Sequence, residues 1–324
     1  MAAVDVEPTP YDVVYEENKL ALRRYRPETR RHDVPIVIAY AFINTPAILD
    51  LEPERSVVRR FLERGFEVYL IDWGFPSRLD ASLTLDDYVG RYLANCVDAA
   101  RDRSGSDAVH LLGYSTGAPL VAAYAALHPE DVRTLSLLGP PLDFDAEGGM
   151  FDFGEIAGRH DPERLVDVFG NVPAPLLDAA FSLRKPVEYA VTNPLHLWEH
   201  VEDERYVEHY ARRAKWAFDG PDLAGATYRG FVEELLERNA LIEGELTVFG
   251  EPVRPDEIDA PVLLIVGRDD AFVPLDASLP FLDVVPSDDT DVVEFPTGHV
   301  GLSVAPEAHV SGWPRVCDWL EARS

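Results

Sequence analysis

The sequence predicts an α/β fold in which helices cover both faces of a mostly parallel central sheet and a helical insertion interrupts the alternation of strands and helices. Continuous apolar runs such as Pro35–Phe42, PIVIAYAF, are typical of strands buried on both faces. Amphipathic segments alternate with these runs, as a parallel sheet requires. Between residues 145 and 240 no strand-like run occurs, and this region is called the cap below.

The chain before the cap alternates regularly. A two-stranded piece is predicted over Val13–Tyr25. Strands are predicted at residues 35–42, 66–72, 109–112 and 132–138, and helices at residues 56–64, 85–100 and 116–127. The helix over residues 85–100 has apolar residues at i, i+3 and i+4 spacing. Cys96 lies on this apolar stripe, so we expect a buried, unreactive thiol.

The alternation returns after the cap. Strands are predicted at residues 261–266 and 292–295, and helices at residues 275–282 and 306–322. Cys317 lies in the last of these helices and is given no chemical role. The predicted organisation is therefore one α/β core, residues 1–144 and 241–324, that carries the helical cap, residues 145–240.

The composition excludes two classes of partner. The 324 residues include 29 Lys and Arg against 58 Asp and Glu, for a formal net charge of −29. Such a surface repels both nucleic-acid phosphates and anionic lipids. The only lysines are Lys19, Lys185 and Lys215. Acids spread along the whole chain, together with few lysines, indicate a halophilic protein of a salt-loving archaeon, since a highly charged surface stays soluble in concentrated salt.

The sequence predicts a cytoplasmic protein. Its two cysteines cannot form a disulfide framework, and the first ten residues, MAAVDVEPTP, lack the basic and apolar regions of a signal peptide. The longest apolar stretch, Val34–Leu49, is broken by Asn44 and Pro46 and is too short for a membrane span. We therefore expect no integral membrane segment.

The segment Gly113–Gly117, GYSTG, fits the G-x-S-x-G pattern of a nucleophile elbow and lies between an apolar strand and a helix. Small residues two positions before and after the serine avoid clashes with the neighbouring strand and helix. The turn lifts the Ser115 hydroxyl out of the sheet, and the first N–H groups of the helix point at a developing oxyanion. Ser115 is the predicted nucleophile.

A serine nucleophile needs a histidine base and a carboxylate that orients the base. Asp269 and Asp270 follow the strand PVLLIV. His299 follows the strand VVEF in the segment GHVG, which has a glycine at each end. The chain order Ser, Asp, His is that of the α/β-hydrolase fold. Asp270 is the preferred acid because it stands four residues before Pro274 in DAFVP, and Asp269 is assigned to a turn or to the surface.

The oxyanion hole is predicted to consist of two backbone N–H groups. One belongs to Thr116, directly after the nucleophile. The other comes from the loop after the first core strand, where Ile43 is the candidate.

A competing pattern, H-x-x-E-H at His196–His200, resembles a zinc motif. It lies in the cap, and the spacing suggests no third ligand. The sequence also lacks the glycine motifs that bind nucleotides. We therefore expect no metal and no cofactor.

Several segments between about Thr9 and Leu320 are similar in sequence to segments of a known protein family. Among them are TPYDVVYEENKLALRRY at Thr9–Tyr25, ILDLEPERSVVRRFLERGFEVYLIDWG at Ile48–Gly74, LTLDDYVGRYLANCVD at Leu83–Asp98, KWAFDGPDLAGATYRGFVEELLERNALIEGEL at Lys215–Leu246 and FPTGHVGL at Phe295–Leu302. In these segments the chain resembles the catalytic subunit of class III polyhydroxyalkanoate synthases.

This resemblance implies an enzyme that takes hydroxyacyl groups from coenzyme A thioesters and adds them to a growing polyester, usually with a second, noncatalytic subunit. It also implies the triad roles of Asp270 and His299. The chain departs from the family at the nucleophile. The family has Cys in G-x-C-x-G-G, where this chain has Ser115 followed by Gly117-Ala118, and it tends to have His where Ala271 stands.

Three functions stay open after this comparison. The first is an acyltransferase acting on hydroxyacyl chains, in the cytoplasm or at polyester granules, alone as a homo-oligomer or with a second subunit. The second is a serine esterase, thioesterase or depolymerase-like hydrolase on the same scaffold. The third is a noncatalytic paralogue that assembles with an active synthase, and the intact triad argues against it.

Overall fold

The computed structural model describes residues 4–146, 161–184 and 192–324 and confirms the α/β architecture around an eight-stranded sheet. The strands are β1 (Asp12–Glu17), β2 (Leu20–Tyr25), β3 (Ile36–Ala39), β4 (Val68–Asp72), β5 (Val109–Tyr114), β6 (Val132–Leu138), β7 (Val262–Gly267) and β8 (Thr290–Phe295). Their order across the sheet is β1-β2-β4-β3-β5-β6-β7-β8.

Strands β3 to β8 pair in parallel, and β1 and β2 add an antiparallel edge. Every residue of β3, β5 and β7 is buried, which explains why the sequences of these strands are largely apolar without alternation. Because β3 to β8 run the same way, their carboxyl ends meet at one edge of the sheet. Ligand sites in open α/β sheets lie outside this edge.

The described part of the chain contains eleven α-helices. They are α1 (Val57–Glu63), α2 (Ala94–Ser104), α3 (Gly117–Leu127), α4 (Pro162–Phe169), α5 (Ala174–Arg184), α6 (Asn193–Glu199), α7 (Glu204–Phe218), α8 (Gly225–Gly230), α9 (Phe281–Val284), α10 (Gly301–Val304) and α11 (Trp313–Glu321). A π-helical turn precedes α2 at Asp87–Leu93, follows α8 at Phe231–Glu237 and precedes α11 at Ala308–Gly312. None of the helices in the described residues is long and apolar enough to cross a bilayer.

Helix α3 is the best-buried helix of the core. Residues Gly117 to Ala126 are all buried against the sheet, and Cys96 of α2 packs in the same apolar cluster, as predicted. The other face of the sheet carries α1 and α11, with Phe61, Trp313 and Cys317 buried together. The turn that precedes α3 is therefore attached to a fully buried part of the core.

The cap is helical in its described residues, which include α4 to α8. Its sole strand-like pairing there is an isolated bridge between Val172 and Leu223. Helix α7 packs on the core at the turn Pro46–Leu49 and at a short strand, Asp50–Glu52.

Two predicted elements differ from the structure. The helix expected at residues 275–282 is a 3₁₀ turn, Leu275–Ala277, and the short helix α9. Pro280 separates them because proline lacks an N–H donor and disfavours helical geometry in the preceding residue. The strand expected at residues 35–42 ends at Ala39, and residues 40–42 enter the loop above the sheet.

Two small hairpins were not predicted. They pair Asp50–Glu52 with Arg55–Ser56 and Thr247–Val248 with Glu251–Pro252. Strands of two or three residues are too short to show the alternation on which a sequence prediction rests.

Candidate active site

Ser115 occupies the tight turn between β5 and α3 with φ of 53°. This left-handed conformation is strained for a residue with a side chain. The backbone secures it, because the Ser115 N–H donates to the Leu138 carbonyl at 2.8 Å and the Ser115 carbonyl accepts from the Ala118 N–H at 2.8 Å. The turn therefore holds the hydroxyl rigidly at the carboxyl edge of the sheet.

The glycines on either side of Ser115 are required by space. A Cβ at Gly113 would lie 2.4 Å from Val121 Cγ2, and a Cβ at Gly117 would lie 2.5 Å from the Ala39 carbonyl oxygen. Any larger residue would push α3 away from β3 and β5. This is the packing reason for the G-x-S-x-G spacing that the sequence shows.

The three predicted triad residues lie within hydrogen-bond distance of each other. His299 Nε2 lies 3.0 Å from Ser115 Oγ, and His299 Nδ1 lies 2.7 Å from Asp270 Oδ2. Because a carboxylate only accepts, Nδ1 carries the proton and Nε2 accepts from the serine hydroxyl. This tautomer is the one that a general base for Ser115 requires.

Asp270 is fixed by its own loop. Its Oδ1 accepts the backbone N–H groups of Phe272 at 2.8 Å and Val273 at 2.9 Å, and its side chain has 0% exposure. Asp269, which the sequence assigned to a turn, is exposed. Only Asp270 of this pair touches His299, and the D-x-x-x-P spacing reflects the short loop that folds back onto the carboxylate.

Two residues that the sequence did not single out hold His299. Tyr114 stacks on its ring, with centroids 5.5 Å apart and planes at 28°, and donates its hydroxyl to the His299 carbonyl at 3.1 Å. Gly139 lies on another side of the imidazole with φ of 52°, and a Cβ there would be 2.9 Å from His299 Cε1. The ring is therefore confined by contacts as well as by hydrogen bonds.

Ser115 and His299 open into a cavity of about 120 Å³. Its lining includes Ile43 and Thr116, the two residues predicted for the oxyanion hole. The cap contributes Asp178 and Ser182 of α5 and Trp216 of α7. The remaining lining is largely aromatic and aliphatic, and includes Tyr40, Tyr114, Phe218, Phe272, Val273 and Val300.

The loop that carries Ile43 is tied to the cap. Trp216 donates its indole N–H to the Thr45 carbonyl at 2.9 Å. Asn44 adopts φ of 65°, and its Oδ1 lies 2.6 Å from the position that a Cβ on Gly220 would take. Close approach of the cap to this loop therefore depends on a glycine at position 220.

A partly buried ionic cluster also joins the cap to the core. Glu52 of the core is approached by His209 at 3.0 Å and Arg212 at 3.4 Å, both on α7, and by Arg55 at 3.0 Å. Burial alone would raise the pKa of Glu52. The hydrogen bond from His209 and the neighbouring positive charges outweigh burial and hold that pKa below its usual value.

The H-x-x-E-H segment lies at the carboxyl-terminal end of α6. His196 and Glu199 lie on α6 with His200 at its end, where His200 Nδ1 bonds the His196 carbonyl at 2.9 Å and the ring stacks on Tyr206. Among the residues that the structure describes, no group of three His, Cys, Asp or Glu could hold a metal ion.

Comparison with known proteins identifies relatives over the whole chain. A family model described as the alpha/beta hydrolase fold matches residues 34–306. The poly(3-hydroxyalkanoate) polymerase subunit PhaC of Haloferax mediterranei is 50% identical over 100% of this chain and 66% of its own length. That of Haloarcula marismortui is 49% identical over 100% of this chain and 70% of its own length. The subunit of Allochromatium vinosum is 36% identical over 99% of this chain and 91% of its own length.

The chain therefore spans about two thirds of the length of the two haloarchaeal relatives. That these relatives come from haloarchaea agrees with the halophilic character predicted from the composition. Solved structures show the same fold. The monoacylglycerol lipase of Paleococcus ferrophilus matches with a TM-score of 0.56 and 17% identity, over 94% of this chain and 99% of that one. An esterase from Thermogutta terrifontis matches with a TM-score of 0.57 and 15% identity, over 96% and 97%.

Proposed function

We propose a function on the basis of the family to which this chain belongs, the poly(3-hydroxyalkanoate) polymerase subunits with the alpha/beta hydrolase fold. In this proposal the chain transfers hydroxyacyl groups from coenzyme A thioesters to a growing polyester. Ser115 is the nucleophile, His299 the general base and Asp270 the group that orients the base. The observation that supports this most directly is the pair of hydrogen bonds, 3.0 Å and 2.7 Å long, that joins the three side chains.

The reaction divides into two steps. In the first, His299 takes the Ser115 proton as Oγ attacks the thioester carbonyl, and the same proton passes to the departing thiolate of coenzyme A. In the second, a chain-end hydroxyl gives its proton to His299 as its oxygen attacks the acyl-serine carbonyl. The bond between that carbonyl and Ser115 Oγ then breaks, and His299 returns the proton to Oγ. Thr116 and Ile43 contribute the backbone N–H groups that stabilise the oxyanion in both steps.

Ser115 favours a second candidate, a serine hydrolase for hydroxyacyl esters or thioesters. An acyl-cysteine is a thioester close in energy to the incoming thioester, so the downhill step is kept for ester formation. An acyl-serine is an oxoester that resembles the product, so most of the free-energy drop occurs at acylation. Transfer from serine to a chain-end hydroxyl is then nearly balanced, and water competes with the alcohol.

Other parts of the proposal concern the surroundings of the triad. Residues 145–240 form a cap over the core, and the reaction needs no metal or cofactor. The protein acts in the cytoplasm or at the surface of polyester granules, either as a homo-oligomer or with a second, noncatalytic subunit.

The triad is tested with a matched pair of aspartate variants. Asp270→Asn removes the carboxylate that bonds His299, while Asp269→Asn removes an exposed neighbour. We expect Asp270→Asn to lower acyl-enzyme formation by about 10⁴-fold, as in other serine triads, and Asp269→Asn to leave it unchanged. A fluorophosphonate probe should label the wild type and fail to label Ser115→Ala. Full labelling of Ser115→Ala would overturn the assignment of the nucleophile.

Synthase and hydrolase are separated by their products. The protein in molar KCl is given 3-hydroxybutyryl coenzyme A, with and without a cognate second subunit, and both polymer and free 3-hydroxybutyrate are measured. We expect polymer, and we expect Ser115→Cys to raise its share because the acyl-thioester keeps driving force for transfer. Free acid as the sole product of both proteins establishes the hydrolase, and no turnover by either establishes the noncatalytic paralogue.

A further inference from the structure

Asp178 places a carboxyl group in the wall of the cavity that contains Ser115 and His299. It lies on α5, one helical turn before Ser182, which lines the same cavity. Ser182 donates its hydroxyl to the main-chain oxygen of Asp178 at 2.8 Å. Its proton is therefore committed to the helix backbone and does not satisfy the Asp178 carboxyl.

The Asp178 side chain has no hydrogen-bond or ion-pair partner among the described residues. The buried acidic side chains of the described residues have hydrogen-bond or ion-pair partners, as Glu52 and Asp270 do. A carboxyl group removed from water without a partner is costly, and burial raises the pKa of Asp178. Unpaired titratable groups in a cavity beside catalytic residues are candidates for contact with substrate.

The chemistry of the cavity limits what Asp178 can bind. A carboxylate accepts hydrogen bonds, and a protonated carboxyl also donates one, so a hydroxyl group fits either form. The phosphates of coenzyme A would be repelled by the carboxylate, and the thioester itself offers no donor. Within the acyl part of a hydroxyacyl substrate, which is the part that becomes bonded to Ser115, the remaining polar group is the hydroxyl.

We propose that Asp178 is a specificity residue that binds the free hydroxyl group of a hydroxyacyl substrate and so selects hydroxyacyl over plain acyl groups. This rests on the proposed function, which supplies the substrate class. The hydroxyl has two sources, the acyl group that is being loaded and the end of the acceptor chain. Both present the same uncharged donor and acceptor to the carboxyl.

Two assays distinguish these sources without requiring polymer. In the first, kcat/KM is measured for p-nitrophenyl 3-hydroxybutyrate and p-nitrophenyl butyrate, which differ only in the acyl hydroxyl. In the second, the butyryl-enzyme is partitioned between water and methyl 3-hydroxybutyrate as acceptor. The variants are Asp178→Leu, which cannot hydrogen-bond, and Asp178→Asn, which keeps one acceptor and gains a donor. Asp167→Asn, an exposed acid on α4, is the control for loss of charge.

A hydrogen bond to a charged group contributes about 1.5–3 kcal/mol, or about 10- to 150-fold. If Asp178 binds the hydroxyl of the acyl group, we expect Asp178→Leu to lower the preference for the hydroxy ester by that factor. If Asp178 binds the hydroxyl of the acceptor, we expect the same variant to lower the partition towards the alcohol by that factor. Asp178→Asn should restore most of the loss, and Asp167→Asn should match the wild type. Asp178→Ala repeats the measurement with a side chain too small to clash, should Asp178→Leu unfold.

The outcomes separate this inference from the proposed function. A folded Asp178→Leu or Asp178→Ala protein with wild-type ratios in both assays overturns the role of Asp178. A wild type that discriminates by Asp178 but forms no polymer supports the role of Asp178 and overturns only the polymerase function.

Discussion

Gly139 offers a direct test of how tightly His299 must be held. It follows β6 and adopts φ of 52°, and its N–H donates to the Ile265 carbonyl at 2.7 Å. A Cβ built on Gly139 would lie 2.9 Å from His299 Cε1, 3.1 Å from His299 Nδ1 and 3.0 Å from Leu302 Cδ1. The perturbation is Gly139→Ala, which adds one methyl group beside the imidazole.

The expected size of the effect follows from these distances. Nonbonded carbon contacts are comfortable at about 3.5–4.0 Å, so the imidazole must move by at least about 0.5 Å. That shift acts on bonds of 3.0 Å to Ser115 and 2.7 Å to Asp270, whose other ends are rigid. Since a misplacement of about 1 Å can cost about 10²-fold in rate, we expect kcat to fall by about 10- to 100-fold.

Gly244→Ala is the matched control. Gly244 also has positive φ, 68°, but a Cβ there would meet no atom within 4 Å. Both variants incur the left-handed strain of about 1–2 kcal/mol, and only Gly139→Ala displaces the histidine. Both are compared with the wild type by p-nitrophenyl ester turnover in molar KCl and by urea unfolding. A Gly139→Ala protein whose kcat stays within twofold of Gly244→Ala would refute the reasoning.

Two further predictions concern stability. Burial lowers the pKa of His110 to about 3 and that of His309 to about 4, so the folded state binds fewer protons than the unfolded state, whose histidines titrate near about 6.5. The contribution of these two histidines to stability is therefore fully present above that pH and declines towards pH 4. Urea unfolding should show a lower midpoint at pH 5.0 than at pH 7.5, and equal midpoints would contradict this prediction. The net charge of −29 predicts that the thermal midpoint falls when KCl is lowered from 1 M to 0.01 M, because the screening length grows from about 3 to about 30 Å; an unchanged midpoint would contradict this.

The fold and the turn that holds Ser115, the proposed nucleophile, could be predicted from the sequence because their signals are local. The G-x-S-x-G pattern between an apolar strand and a helix contains both the packing constraint and the chemistry in five consecutive residues. Asp270 was distinguishable from Asp269 through its spacing to Pro274, since that spacing describes the loop that bonds the carboxylate. The elements that were missed are short hairpins, which carry no period.

The support around the triad was not accessible because it joins residues far apart in the chain. Tyr114 and Gly139 contact His299 only after β5, β6 and the loop beyond β8 meet at one sheet edge. Nothing local in the sequence of α7 indicates that His209 and Arg212 approach Glu52. Asp178 is one acid among 58 until the fold brings it to the cavity.

The hydrogen bond from Trp216 to Thr45 makes the cap and the Ile43 loop thermodynamically linked. One such bond contributes about 1 kcal/mol, so docking of α7 favours the loop arrangement seen here by about fivefold, and the loop favours docking of α7 to the same extent. Reciprocity of this kind holds for any two states that share a contact. A substrate that binds more tightly to this arrangement of the loop must therefore also favour the docked position of α7, so the fraction of molecules in which Trp216 lines the cavity beside Ser115 depends in part on the bound substrate.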